Sequence, residues 1–269
     1  MVNIIDSEII EFLQSFRSQP LDFFFSFATN FGSEYFYLFL IPIIYWCFKK
    51  EFGLKFSVLM FSTFYINIFL KNSFQFPRPD KKLWLIKAEG YSFPSGHAQC
   101  ATTFWSYAVI HQKKFLFLSI TLIFLISLSR IYLGVHYPID VIFGILIGIS
   151  IAVIFFYIEK RFVFRLSENK KIILSITIPF FFAILQQEGI NLCSMLIGFL
   201  IGYFFEQKYK FFNDIKDRKR RMKRCIVGFG ILIPIFLVSF SIPNFLIFFL
   251  IGIATSFIIP FSFSLLGLS

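Results

Sequence analysis

Nine apolar runs, at about 35–48, 52–70, 95–112, 115–133, 138–158, 172–187, 190–205, 225–241 and 244–266, divide this chain of 269 residues. A bilayer core about 30 Å thick is crossed by about 20 helical residues rising about 1.5 Å each, so each run is read as a membrane-spanning helix. The rest of the sequence supplies too little polarity for any soluble alternative: 57% of residues are apolar and 15% charged, with 44 Phe. The expected fold is an all-α, polytopic transmembrane bundle of about nine spans. Four cysteines, Cys47, Cys100, Cys193 and Cys225, are scattered without the paired spacing of a disulfide framework or a zinc site and are read as small buried residues.

A net charge of +11 would suggest nucleic acid in a soluble chain, but its distribution says otherwise. If every run spans, 19 of the 26 basic residues fall on one face, mostly in 160–171 and 208–224, and seven on the other. The positive-inside rule makes the 19-residue face cytoplasmic. Membrane lipids, not nucleic acid, are the expected surroundings, with the loop 206–224 read as a solvated topology determinant. Residues 4–16 place Ile4, Ile5, Ile9, Ile10, Leu13 and Phe16 on one helical face, the pattern of an amphipathic helix lying in the interface. Residues 1–30 are accordingly read as an interfacial segment, 31–158 as a five-span core and 159–269 as an extension of about four spans.

The polar residues outside the cytoplasmic loops gather at the outer ends of spans. Lys71 closes the second span and is followed by Arg78-Pro79; Pro94-Ser95-Gly96-His97 opens the third; Ser129-Arg130 closes the fourth, and His136 and Asp140 open the fifth. Such a set suits a phosphate. Ser95 occupies an N-cap position, where free amides and the helix dipole attract an anion, and Gly96 allows close backbone approach. Arg78 and Arg130 offer planar forks and Lys71 a point charge. His97 and His136 have the chemistry to divide the work of nucleophile and general acid, and Asp140, four residues after His136, is spaced to fix its tautomer. No carboxylate cluster suggests a metal, and no cofactor is expected.

The three ordered motifs resemble the signature of the type 2 phosphatidic acid phosphatase superfamily, and every signature position is matched between residues 71 and 140. The resemblance implies a helical core like that shared with the haloperoxidases. It implies that His136 attacks phosphorus to form a phosphohistidine, oriented by Asp140, and that His97 protonates the leaving oxygen. Lys71, Arg78, Ser95, Gly96 and Arg130 would hold the phosphoryl oxygens without metal. Gly32-Ser33-Glu34, Phe36-Tyr37 and Tyr45-Trp46 are similar to the sphingosine-1-phosphate phosphatase and glucose-6-phosphatase branches.

The expected activity is hydrolysis of a lipid phosphate or isoprenyl pyrophosphate at the outer face of a bacterial cytoplasmic membrane. A phosphotransferase on the same scaffold, a soluble-sugar phosphatase and a transporter or flippase are the rival readings. Carriers place their ionisable residues near the midplane, whereas here they close or open spans. Tyr45 and Trp46 are read as interface anchors, His111 as an interfacial residue at the cytoplasmic end, and Glu34 as either a partner of an active-site base or a solvent-facing carboxylate. The sequence carries no signal for oligomeric state. The face assignment makes a direct prediction: Lys82→Cys reacts with an impermeant thiol reagent added to intact cells, and labelling confined to lysed cells would reverse the topology.

Overall fold

In the computed structural model, residues 4–161, 168–241 and 244–269 are described. The side chains of Ile4, Ile5 and Asp6, and Arg165 of the basic loop, lie outside the described set. The described chain is helical: α1 (Ile4–Ser15), α2 (Gln19–Thr29), α3 (Glu34–Cys47), α4 (Lys50–Phe74), α5 (Gly96–His111), α6 (Leu116–Tyr132), α7 (Pro138–Arg161), α8 (Glu168–Leu185), α9 (Ile190–Tyr209), α10 (Arg218–Ser241), α11 (Phe245–Ile253) and α12 (Ile259–Leu265), the last two joined by a π-helical turn at Ala254–Ile258. Every one of the nine apolar runs coincides with a helix.

Six of these helices are long and apolar enough to cross a bilayer: Lys50–Phe74, Lys113–Tyr132, Pro138–Arg161, Gln187–Tyr209, Arg218–Ser241 and Phe245–Leu265. The count of nine is therefore not reached by length and composition. α3 has 14 residues and α5 has 16, which at about 1.5 Å per residue falls short of a core about 30 Å thick. α8 opens on Glu168, Lys170 and Lys171, which shortens its apolar part. On α7 the side chains of Ile142, Leu146, Ile149 and Ile154 face outward, as a lipid-facing helix requires.

Packing divides the chain into two compact units: residues 1–37 with 62–160, and residues 38–61 with 161–269. In the first, α7 lies against α5 along Gly144 and Gly148, and Ala152, the next small residue at the same spacing of four, is also buried. A Cβ on Gly144 would stand 2.7 Å from the Ser95 carbonyl oxygen, and one on Gly148 2.7 Å from that of Gln99. This small-residue stripe is the membrane device for bringing helix backbones together. Its consequence is local: the Ser95 amide donates to the Asp140 carbonyl at 2.9 Å, so the N-terminal turns of α5 and α7 are tied.

Beside them, α1 and α2 pack on the end of α6. Phe25, Tyr132, Leu133 and Val135 form a small core with Leu13, Trp84 and Leu85. The Gln14 amide spans the group, donating to the carbonyls of Leu83 at 2.7 Å and Tyr132 at 2.9 Å. The apolar face read for the first helical segment is split: Ile10 is fully buried, whereas Ile9 and Phe16 are exposed.

The second unit corrects two readings. Tyr45 and Trp46 are not interface anchors. Both are 1% exposed, their polar tips donating to the carbonyls of Ser256 at 3.2 Å and Thr255 at 2.7 Å, which satisfies the one polar atom that makes a buried Tyr or Trp costly. The basic stretch after α9 is also not wholly solvated. Glu206 is buried and paired with Lys50 at 2.6 Å, and Arg224 is buried between the rings of Phe212 and Phe263 while donating to the carbonyls of Trp46 and Leu268 at 2.7 Å. Of the cysteines, Cys225 is half-buried, its sulfur 3.1 Å from that of Cys47.

Between α6 and α7 the chain turns at Gly134, whose φ is +71° and whose Cβ would lie 1.9 Å from the Leu83 carbonyl oxygen. A left-handed backbone costs a residue with a Cβ about 1–2 kcal/mol, and this contact adds a backbone collision. Gly134→Ala is expected to lower the thermal unfolding midpoint of the purified protein by several degrees; an unchanged midpoint would show that the turn is not held as described.

Candidate active site

Every residue singled out in the three motifs lies in the first compact unit, and local structure explains its placement. Lys71 is in the last turn of α4 and Arg130 in the last turn of α6. Asp140 is in the first turn of α7, Ser95 caps α5, and Arg78 and His136 sit on the connections. Helix ends thus deliver the charged groups.

His136 and Asp140 are almost fully buried. Nδ1 of His136 lies 3.3 Å from Oδ2 of Asp140, and Nε2 lies 3.2 Å from Nη1 of Arg78. An arginine has only hydrogens to donate, so Nε2 is the nitrogen that accepts and Nδ1 the one that carries hydrogen toward the carboxylate. Burial, followed by the positive charges of Arg130, Lys71 and Arg78 and then His97, holds His136 well below the usual histidine range. Its resting ring is therefore neutral, with the lone pair on Nε2. The carboxylate is fixed from two further directions, by the Tyr137 amide at 2.8 Å and by the hydroxyl of Ser92. Ser92 was not singled out by sequence reasoning. A buried serine two residues before Pro94 carries no pattern of its own; only the fold brings it to Asp140.

The cations are held in an unusual way. Arg78 donates from Nε to the Gly90 carbonyl at 3.0 Å, from Nη2 to Glu89 at 2.7 Å and from Nη1 to Val135 at 2.8 Å. Lys71 donates to the carbonyls of Tyr91 and Ser92. The guanidinium of Arg130, 4% exposed, donates to the hydroxyl of Thr29 at 2.7 Å, and its Nε has no partner. Among the described residues, none of the three forms an ion pair with a carboxylate. Neutral oxygens fix their directions and leave their charge available. Burial disfavours the charged form of Arg78, partly offset by Asp140.

At the start of α5, Ser95 is the cap residue by position, but its hydroxyl makes no cap hydrogen bond and is buried without a partner. Gly96 has a packing reason as well: a Cβ there would stand 2.9 Å from Oδ1 of Asn67. Asn67 donates to the Pro94 carbonyl at 3.3 Å and to Gln99 at 2.9 Å, and Gln99 donates to the Thr63 carbonyl at 3.0 Å. This chain of amides bolts the 94–97 turn to α4. His97 is half-buried and packs under Gly32, whose Cβ would be 3.1 Å from that of His97.

Glu34, the first residue of α3, feels the charge of Lys71 but forms no ion pair among the described residues, and it is open to solvent. His111 is at the far end of α5 from His97, in edge-to-face contact with Tyr107 and Phe156. Among the described residues, no three His, Cys, Asp or Glu side chains group as metal ligands would.

Residues 52–164 match the family model of the PAP2 superfamily, and residues 190–269 match that of the PAP2 superfamily phosphatase transmembrane extension. A probable sphingosine-1-phosphate phosphatase of Dictyostelium discoideum is 34% identical over 53% of this chain and 39% of its own length. The chain thus spans well under half of that relative. Phosphatidylglycerophosphatase B of Bacillus subtilis is 31% identical over 50% of this chain and 71% of its own. The crystal structure of Aquifex aeolicus LpxE superposes with a TM-score of 0.51 at 31% identity, covering 58% of this chain and 97% of that one.

Proposed function

Since this chain belongs to the PAP2 superfamily, we propose that it is an integral membrane lipid phosphate phosphatase that works through a phosphohistidine on His136. One observation carries the reading: His136 is held with its lone pair on Nε2, among three cations whose charge no carboxylate cancels. A carrier does not need a neutral imidazole with an oriented lone pair, and the charged groups here occupy helix ends.

The chemistry follows from that arrangement. Lys71, Arg78, Arg130, the Ser95 hydroxyl and the Gly96 amide bind the phosphoryl oxygens and neutralise charge as it builds. Nε2 of His136 attacks phosphorus, the bond from phosphorus to the lipid oxygen breaks, and His97 gives its proton to that departing oxygen. Asp140 steadies the ring through Nδ1 while the nitrogen–phosphorus bond exists. In the second half His97 takes a proton from water, the water oxygen attacks phosphorus, and inorganic phosphate leaves with His136 restored. Positive side chains take the role a metal would otherwise fill.

The two relatives are named for sphingosine-1-phosphate and phosphatidylglycerophosphate; both are lipids with an alcohol leaving group, and a lipid phosphate is the substrate class carried across. An extracytoplasmic site in a bacterial inner membrane is the placement favoured by the 19 basic residues of the opposite face.

The test is phosphate release from lipid phosphates by purified protein in a metal chelator. Wild-type protein is expected to turn over, with kcat/KM maintained as pH falls through the ordinary histidine value of about 6.5 and declining only below it, where the neutral His136 is lost. His136→Ala is expected to lose at least about a thousandfold. Activity that vanishes in chelator and returns with a divalent metal, or that survives His136→Ala, would refute the mechanism, and release only after an acceptor alcohol is added would make the protein a phosphotransferase.

A further inference from the structure

Thr29 lies outside all three motifs, in the segment whose sequence suggests no more than an interfacial helix. It is the last residue of α2, it is buried, and its hydroxyl oxygen accepts from Nη1 of Arg130 at 2.7 Å. That is the single hydrogen bond of the Arg130 guanidinium among the described residues. The placement is secured from two sides, as Phe25 stacks on Tyr132 with ring centroids 4.4 Å apart and Asp22 accepts from the Tyr132 hydroxyl at 2.7 Å.

A flexible, buried guanidinium needs a partner to hold its plane, and the nature of the partner decides what it is then able to do. A carboxylate would fix the arginine but cancel its charge and compete with an incoming anion. A hydroxyl fixes direction and leaves the charge intact, with Nε and Nη2 free for a bidentate grip. We propose that Thr29 is a positioning residue for the phosphate site: it orients Arg130 toward the phosphoryl oxygens, and thereby makes α2 part of the active site. This rests on the reading of the site as a phosphatase centre.

The experiment compares wild type with Thr29→Val, which keeps the shape and removes the hydroxyl, with Thr29→Ser, which keeps the hydroxyl, and with Arg130→Ala, alone and combined with Thr29→Val. The readouts are kcat, KM and the inhibition constant of vanadate, a phosphate mimic whose affinity does not depend on the amount of active protein recovered. Thr29→Val is expected to weaken vanadate binding and lower kcat/KM about tenfold, Thr29→Ser to restore both to within about twofold, and Thr29→Val to have no added effect once Arg130 is Ala. Arg130→Ala with collapsed activity beside a Thr29→Val protein that binds vanadate like wild type would overturn the positioning role while the phosphatase reading stands. Full activity in Arg130→Ala would overturn the positioning role, since an oriented Arg130 would then not be needed, whereas a wild-type protein that releases no phosphate would overturn the phosphatase reading itself. Equal losses for Val and Ser would also overturn the positioning role, since a lost hydroxyl could not then be the cause.

Discussion

The site depends on positive charge that is held without being neutralised. Elsewhere some charges meet opposite charges, as Lys50 reaches the buried Glu206 at 2.6 Å and the exposed Arg17 reaches Asp22 at 2.8 Å, whereas buried Arg224 is held by carbonyls and aromatic rings. Lys71, Arg78 and Arg130 follow the second pattern, tethered to backbone carbonyls and one hydroxyl, and here three such cations gather around one histidine. Uncompensated cations near a membrane are costly, and the fold bears that cost where an anion would repay it. Burial first, and then the same field, hold His136 neutral, so the arrangement that would bind a phosphoryl group also helps prepare the nitrogen that would attack it.

Much of the scaffold serves to keep these groups still. Gly144 and Gly148 let α7 close onto α5, which ties Ser95 to Asp140 through the backbone. Asn67 and Gln99 join the 94–97 turn to α4. Gly134 lets the connection after α6 turn tightly against Leu83 and carry His136 back into the site. Each is an ordinary packing device; together they set groups from four helices and two connections around His136, the arrangement proposed to hold one small anion.

How much of this was legible in the sequence follows from which forces leave a periodic trace. Hydropathy marked all nine helical runs, because apolar length is read directly, but length also exposes where the span count overreaches: α5 ends after 16 residues at His111. The motif residues stood out because polar groups outside the basic loops are few and gather in an ordered pattern at the other ends of the spans. Ser92 and Thr29 did not, since a hydroxyl acquires a role only from what tertiary structure sets beside it. Tyr45 and Trp46 were misread for a related reason: an amphipathic ring suits an interface and a buried hydrogen bond equally well, and carbonyls of residues more than 200 positions away decide between them. Gly96 was read through a ligand's approach, while the structure adds a neighbour, Asn67, that excludes a Cβ.

The central claim is that His136 is the nucleophile, and it is tested most directly by trapping the intermediate. Purified protein mixed with a lipid carrying labelled phosphate and quenched in alkali within milliseconds is expected to retain label on the polypeptide, stable to base, released by acid, and located by peptide mapping at His136. Label absent from the wild-type protein during turnover, or present at full level in His136→Ala, would contradict the account.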